Sequence, residues 1–217
     1  MNVDPLINLS PIDGRYRQKT QFLQPIFSEF GLIKYRLTVE INWLIALSEQ
    51  EEIAEVPRLN SENIAFLAQL RDHFSLADAQ HIKTIESQTN HDVKALEYFI
   101  KEKISTQPQL KQISEFIHFA CTSEDINNVA HALMLKEGRA HLLQHLHTLS
   151  ITLQQKAEQY AKLPMLARTH GQSASPTTLG KELANFCARL TSQLNQFNAV
   201  NLRAKFNGAA FVRLGGV

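Results

Sequence analysis

The longest candidate helix in the chain starts after Thr122 and runs to about Lys162, where Pro164 prevents continuation. A helix of about 40 residues reaches about 60 Å at 1.5 Å per residue, so it must belong to an elongated bundle. A last helix is expected to open at Ser175-Pro176, a cap followed by proline at the first helical position. Along it Leu179, Leu183, Phe186, Leu190, Leu194 and Phe197 step by three or four residues, a seam suited to nearly parallel bundle packing. Two such helices leave much apolar surface open, so the chain is not expected to bury its bundle faces by itself.

Shorter helices are expected upstream. Leu32, Tyr35, Val39 and Ile45 mark a stripe from Phe27 to about Gln50, and further helices span Ser61 to His73 and Leu76 to Glu86. Another starts near His91 and carries Leu96, Phe99, Ile100 and Ile104, and Pro108 opens one running to about Ala120. No segment shows the alternation of a half-buried strand over more than a few residues. The fold class is therefore all-α: a small N-terminal helical domain, residues 1–110, followed by part of a long-helix bundle, residues 111–217.

Charge narrows the partners. Lys plus Arg is 22 and Asp plus Glu is 21, a net charge of +1, so no global field favours nucleic acid or anionic lipid. Any anion site must be built locally. The longest apolar run, Trp43 to Leu47, is far too short to span a bilayer, and the start of the chain has no apolar core of a secretory signal. Cys121 and Cys187 stand far apart inside expected helices and read as buried thiols rather than a disulfide or zinc framework. The expected location is cytoplasmic.

Four segments could carry chemistry. Thr89-Asn90-His91-Asp92 and Thr122-Ser123-Glu124-Asp125 both read T-x-x-D before a helix, the pattern of a capping box. Each box alone is most simply a helix start, but such an N-terminus also suits a carboxylate or phosphate. His91 adds a titratable donor. Arg168-Thr169-His170-Gly171-Gln172 lies between Pro164 and Pro176, where Thr169 and Gln172 can orient the His170 ring and Gly171 permits close backbone approach. Ser10 to Tyr16 forms a turn that presents Arg15, whose guanidinium could clamp a phosphate, although a solvated arginine is the simpler reading. His141 and His145 have the i, i+4 spacing of a metal pair, but His147 falls on another face and no glutamate base accompanies them. No metal site is expected.

Taken in order, SPIDGRY at residues 10–16, TIESQTNHDVKALEYF at 84–99, SEFIHFACTSEDINN at 114–128 and ARTHGQSASPTTLGKELAN at 167–185 resemble the adenylosuccinate lyases, of the fumarase/aspartase superfamily, most closely the bacterial branch. The resemblance covers about residues 5 to 208. It implies a homotetramer without metal or organic cofactor that eliminates fumarate from adenylosuccinate, giving AMP, and from the succinylated carboxamide ribotide of purine synthesis. It implies that His170 protonates the departing nitrogen and that Arg15 and Tyr16 hold the nucleotide phosphate. Asn90, His91, Asp92, Thr122 and Ser123 would bind the substrate, with His91 supporting the acid or the phosphate, and Gln172 would join them beside His170.

The chain also departs from that family. The base of these enzymes is a serine on a loop of pattern S-S-x-M-P-x-K-x-N-P, and no such stretch occurs here. Residues from about 209 to 217 differ from the glycine-rich continuation of the family and read as a shifted or shortened frame. The chain is thus expected to be an N-terminal portion without turnover of its own, which self-associates or aggregates. Two other readings compete: a superfamily lyase acting on argininosuccinate, and a non-catalytic helical fragment. The arginine and tyrosine after SPIDG and His91 in T-N-H-D-V favour a nucleotide monophosphate.

Overall fold

The computed structural model describes residues 8–205. These fall into two compact units, one of residues up to 135 together with the segment from 203, the other of residues 136–202.

In the first unit two short helices, α1 (Arg17–Thr20) and α2 (Gln24–Phe27), lead into α3 (Glu29–Ser48). Ser28 caps α3, its hydroxyl accepting the Gly31 N–H at 3.2 Å. Helix α3 is buried over most of its length, so its apolar residues face several neighbours instead of one stripe. Leu37, Ile41 and Leu44 form a core with Leu67 of α4 (Ser61–Asp72), Ile82 of α5 (Leu76–Thr89) and Leu96, Phe99, Ile100 and Ile104 of α6 (Asp92–Ile104). Asn60 caps α4, and Ser75 with Asp78 forms a complete capping box on α5.

The helix expected from Pro108 to Ala120 is shorter. α7 (Pro108–Gln112) gives way to a 3-10 turn at Ser114–Phe116 and then to a loop in which His118 and Ala120 are left-handed, with φ of 62° and 59°. Tertiary bonds override the local preference. The His118 ring is bonded to Glu40 of α3, and the Trp43 indole N–H donates to the Phe119 carbonyl at 2.8 Å.

Helix α8 (Ser123–Gln159) has 37 residues and begins in this unit. Its first turns pack Ile126, Ala130 and Met134 against Ile26, Tyr35, Val39 and Val93 in a second buried cluster.

The second unit contains the distal part of α8, two antiparallel strands, β1 (Pro164–Thr169) and β2 (Gln172–Thr178), and α9 (Leu179–Ala199). The strands and the later helix start correct the sequence expectation. Thr178, not Ser175, caps α9, its hydroxyl accepting the Lys181 N–H at 3.1 Å, and Pro176 lies in β2 opposite Leu166. His170 and Gly171, with φ of 52° and 74°, make the two-residue turn that matches the twist of a hairpin. A two-stranded ribbon has only edges, so a proline is tolerated in it. Of the apolar side chains described in this unit, Ala157 and Leu194 are buried, whereas Leu149, Ile151 and Phe186 are exposed. No helix among the described residues is long and apolar enough to cross a membrane.

Candidate active site

Arg15 and Tyr16 stand at the end of a turn tied within itself. Gly14 and Tyr16 donate their N–H groups to the Ser10 and Pro11 carbonyls at 3.1 and 2.9 Å, and the Asn8 amide reaches the Asp13 carbonyl at 2.8 Å. Both side chains are exposed, and the Arg15 guanidinium lies 5.5 Å from the Tyr16 ring centroid. That stacking presents a charged fork to solvent.

The Thr89–Asp92 corner is not the capping box its pattern suggests. Thr89 ends α5, Asn90 turns the chain in the left-handed region (φ 51°), and His91 itself caps α6. Its Nδ1 accepts the Lys94 N–H at 3.1 Å. A nitrogen that accepts has no proton to give, so neutral His91 carries its proton on Nε2, and the 3.7 Å approach of Nδ1 to Asp92 is not an ion pair. Asp92 points instead to Arg36, with Oδ2 2.7 Å from the guanidinium, while Oδ1 accepts the Val93 N–H at 2.9 Å. Burial works against the charge of Asp92, but Val93 and Arg36 outweigh it and hold the carboxyl below the usual carboxylate range.

The Thr122–Asp125 corner forms half of a box. Asp125 Oδ2 accepts both the backbone N–H and the hydroxyl of Thr122, at 2.9 and 3.0 Å. Its other oxygen is 3.0 Å from the Lys205 ammonium, so this fully buried carboxylate is matched by a cation. Asn128 pairs with the Lys205 backbone in both directions. The Ser123 hydroxyl has no bond to a described residue and remains available at the start of α8.

Sequence reasoning missed three groups here, the buried Arg36 and Glu40 and the half-buried His118. Arg36 joins Asp92 to Asn127, donating from Nε to Asn127 Oδ1 at 2.8 Å. Glu40, one turn further along α3, bonds His118 Nδ1 at 2.6 Å, and its second oxygen is buried without a partner among the described residues. The Glu40 bond, opposed by burial, holds the His118 imidazole above its ordinary range. Cys121 lies beside these acids; burial first, then Glu40 and Asp125, push its thiol up to about 12. A glutamate and an arginine one turn apart in α3, flanked by Tyr35, Leu37, Val39 and Ile41, were the available signal, since such groups are seldom buried unless paired.

In the second unit His170 sits at the tip of the hairpin, exposed, with Thr169 paired to Gln172 across the turn. The tight turn explains the glycine after it. The structure thus brings the α6 and α8 starts together within the first unit, leaves Arg15 and Tyr16 on their own turn there, and places His170 and Gln172 in the second. Among the described residues no three His, Cys, Asp or Glu side chains are disposed to hold a metal ion.

The half-buried Ser123 hydroxyl at a helix start and the exposed Arg15 guanidinium at a turn suit an anionic ligand, and the His91 and His170 imidazoles are both exposed. The family whose description is "Lyase" matches residues 14–215. The chain belongs to this lyase family. Among curated relatives, the adenylosuccinate lyase of Vibrio cholerae serotype O1 is 52% identical over 210 residues, 96% of this chain and 46% of its own length. Those of Escherichia coli K12 and Legionella pneumophila Corby are 50% and 51% identical, again over 96% of this chain and 46% of theirs. The chain spans about half the length of the curated relatives it matches. Two solved structures share the fold of this chain: a fumarate lyase from Mesorhizobium sp. BNC1 and a 3-carboxy-cis,cis-muconate lactonizing enzyme from Pseudomonas putida. The first has a TM-score of 0.69 and 18% identity, covering 87% of this chain and 42% of its own. The second has 0.68 and 21%, covering 90% and 44%. The family match runs into residues 209–217, the stretch set apart by sequence reading, which lies outside the described residues.

Proposed function

We propose that this chain supplies the acid and anion-binding part of an adenylosuccinate lyase. The enzyme eliminates fumarate from adenylosuccinate, giving AMP, and from succinylaminoimidazole carboxamide ribotide. Identity of about half to adenylosuccinate lyases of several bacteria, spread over 96% of the chain, carries this reading.

In the reaction a base removes a proton next to a carboxylate of the succinyl group, the C–N bond breaks, and the departing nitrogen takes a proton from an acid. His170, on an exposed tip with a ring free to approach a substrate, suits the acid. Ser123 at the start of α8 suits the succinyl carboxylates, which gain charge as the carbanion forms, while Thr122, whose N–H and hydroxyl both go to Asp125, shapes the turn that presents it. Arg15 with Tyr16 suits the phosphate, while Asn90, His91 and Gln172 complete the contacts. Asp92, with both oxygens engaged, serves the site through Arg36. The base is assigned to no residue of this chain, so the 217 residues alone are expected to bind without turnover. The assembly is a homotetramer and the setting cytoplasmic on this reading.

Titration of the purified protein with AMP tests it. Saturable binding is expected, weakened roughly ten- to hundredfold by Arg15→Ala, since a charge-assisted phosphate contact contributes about 1.5–3 kcal/mol. No binding to the wild type counts against the functional reading; equal affinity of both proteins removes Arg15 as the phosphate contact.

A further inference from the structure

We propose that Arg36 is a positioning residue that couples the His91 corner to the Thr122–Ser123 turn, so that the two present their ligand groups in one fixed register. The coupling itself stands on the geometry; that it serves substrate binding rests on the function proposed above.

Arg36 is almost fully buried, with its side chain 11% exposed. A guanidinium stays charged at any ordinary pH, so burying it is costly unless its donors are matched. They are matched by two elements. Its terminal nitrogen meets Asp92, the first residue of α6, at 2.7 Å, and Nε meets Asn127, one turn into α8, at 2.8 Å.

Apolar packing of Val93 against Ile126 would also bring these helices together, but it is non-directional and tolerates sliding. The planar guanidinium is directional: both partners must lie near its plane and at bonding distance. His91 directly precedes Asp92, and Thr122 and Ser123 lie one turn before Asn127, so both ligand-facing segments take their place from one side chain. Asn127 rather than a second aspartate at the other prong leaves the net charge of the bridge near zero. The carboxylate of Asp92 is thereby neutralised beside groups assigned to an anion, which removes a repulsion the bare acid would impose.

Hydrogen exchange on the intact 217-residue protein tests the coupling without turnover. Asp92→Asn weakens one prong only, yet it is expected to speed exchange roughly tenfold in the peptide covering residues 121–128 as well as at its own corner. In an Arg36→Met background the same substitution should add nothing at 121–128. A merely structural arginine would give equal effects of Asp92→Asn in both backgrounds, and that result, or no change at 121–128, overturns the proposal. Arg36→Lys keeps the charge but cannot span both partners, so it should restore protection at 88–94 and not at 121–128. If Arg36→Met does not fold, the cycle of Asp92→Asn with Asn127→Ala decides the matter: additive effects refute the coupling, and non-additive effects support it. AMP titration separates the two claims. Coupling with about tenfold weaker AMP binding in Arg36→Lys supports both. Coupling in a wild type that binds no AMP keeps the bridge and overturns the functional reading. Coupling with unchanged AMP affinity in Arg36→Lys refutes the role in binding.

Discussion

His118 and Glu40 show how a pair of residues can make stability depend on pH. The histidine is held above its ordinary value of 6.5, chiefly by the bond from Glu40, with burial opposing; Glu97 of α6 adds in the same direction and Lys94 subtracts. A raised folded value means that the protonated ring is favoured by folding. The contribution is therefore fully present below about pH 6.5 and is lost as pH rises through the raised value. The urea midpoint, followed by the single tryptophan, is expected to fall between pH 6.5 and 9 in the wild type. Trp43 is a fitting reporter because its indole N–H bonds the residue after His118. Glu40→Gln should flatten that slope. Parallel slopes in the two proteins would show that the pair does not govern it. His118 was invisible to periodicity, since a lone histidine five residues before the start of α8 carries no local signal. The role of Thr122 was legible only as a pattern, and its hydroxyl turned out to donate to Asp125.

At the scale of elements, the α8–α9 connection illustrates what close approach requires. The start of α9 is pinned to the segment just after α8 by the Leu179 and Gly180 N–H groups, which donate to the Leu163 and Tyr160 carbonyls, each at 3.0 Å. A Cβ at Gly180 would collide with the Ala157 carbonyl oxygen and stand 2.5 Å from the Ala161 nitrogen. These are backbone atoms and cannot turn aside. Gly180→Ala is expected to destabilise the second unit by about 1–3 kcal/mol, the usual cost of overpacking. The midpoint of helix loss by circular dichroism measures this, and an unchanged midpoint would mean that the two helices separate freely. The hairpin before α9 escaped detection for a different reason. Its strands, PMLART and QSASPTT, hold no buried residue, so there is no buried face to print an alternation on the sequence. Only the His170-Gly171 turn hinted at it.

The whole molecule has an uneven core. The first unit buries a continuous cluster from Ile33 to Ile117, whereas in the second Ile151 and Phe186 remain 56% and 58% exposed. An apolar side chain left in water forgoes about 1.5–3 kcal/mol of burial, and several on neighbouring helix faces favour association. The 217-residue protein is expected to self-associate at micromolar concentration, seen as a rise in mass by sedimentation or light scattering. A monodisperse monomer would show that these faces are stable in water. Replacing Phe186 and Ile151 by glutamine should lower the association at least about tenfold if this face mediates it.

By itself the sequence determined where the long helices run, because 3.6-residue periodicity, caps and prolines are local properties of the chain. It also placed the chain among the lyases, since ordered motifs need no coordinates to be matched. The pairing of Arg36 with Asp92 and Asn127, the bond of Glu40 to His118 and the grip of Lys205 on Asp125 were decided only in three dimensions. Their partners lie far apart in the chain, and a buried charge reveals its match only when folding brings the two together.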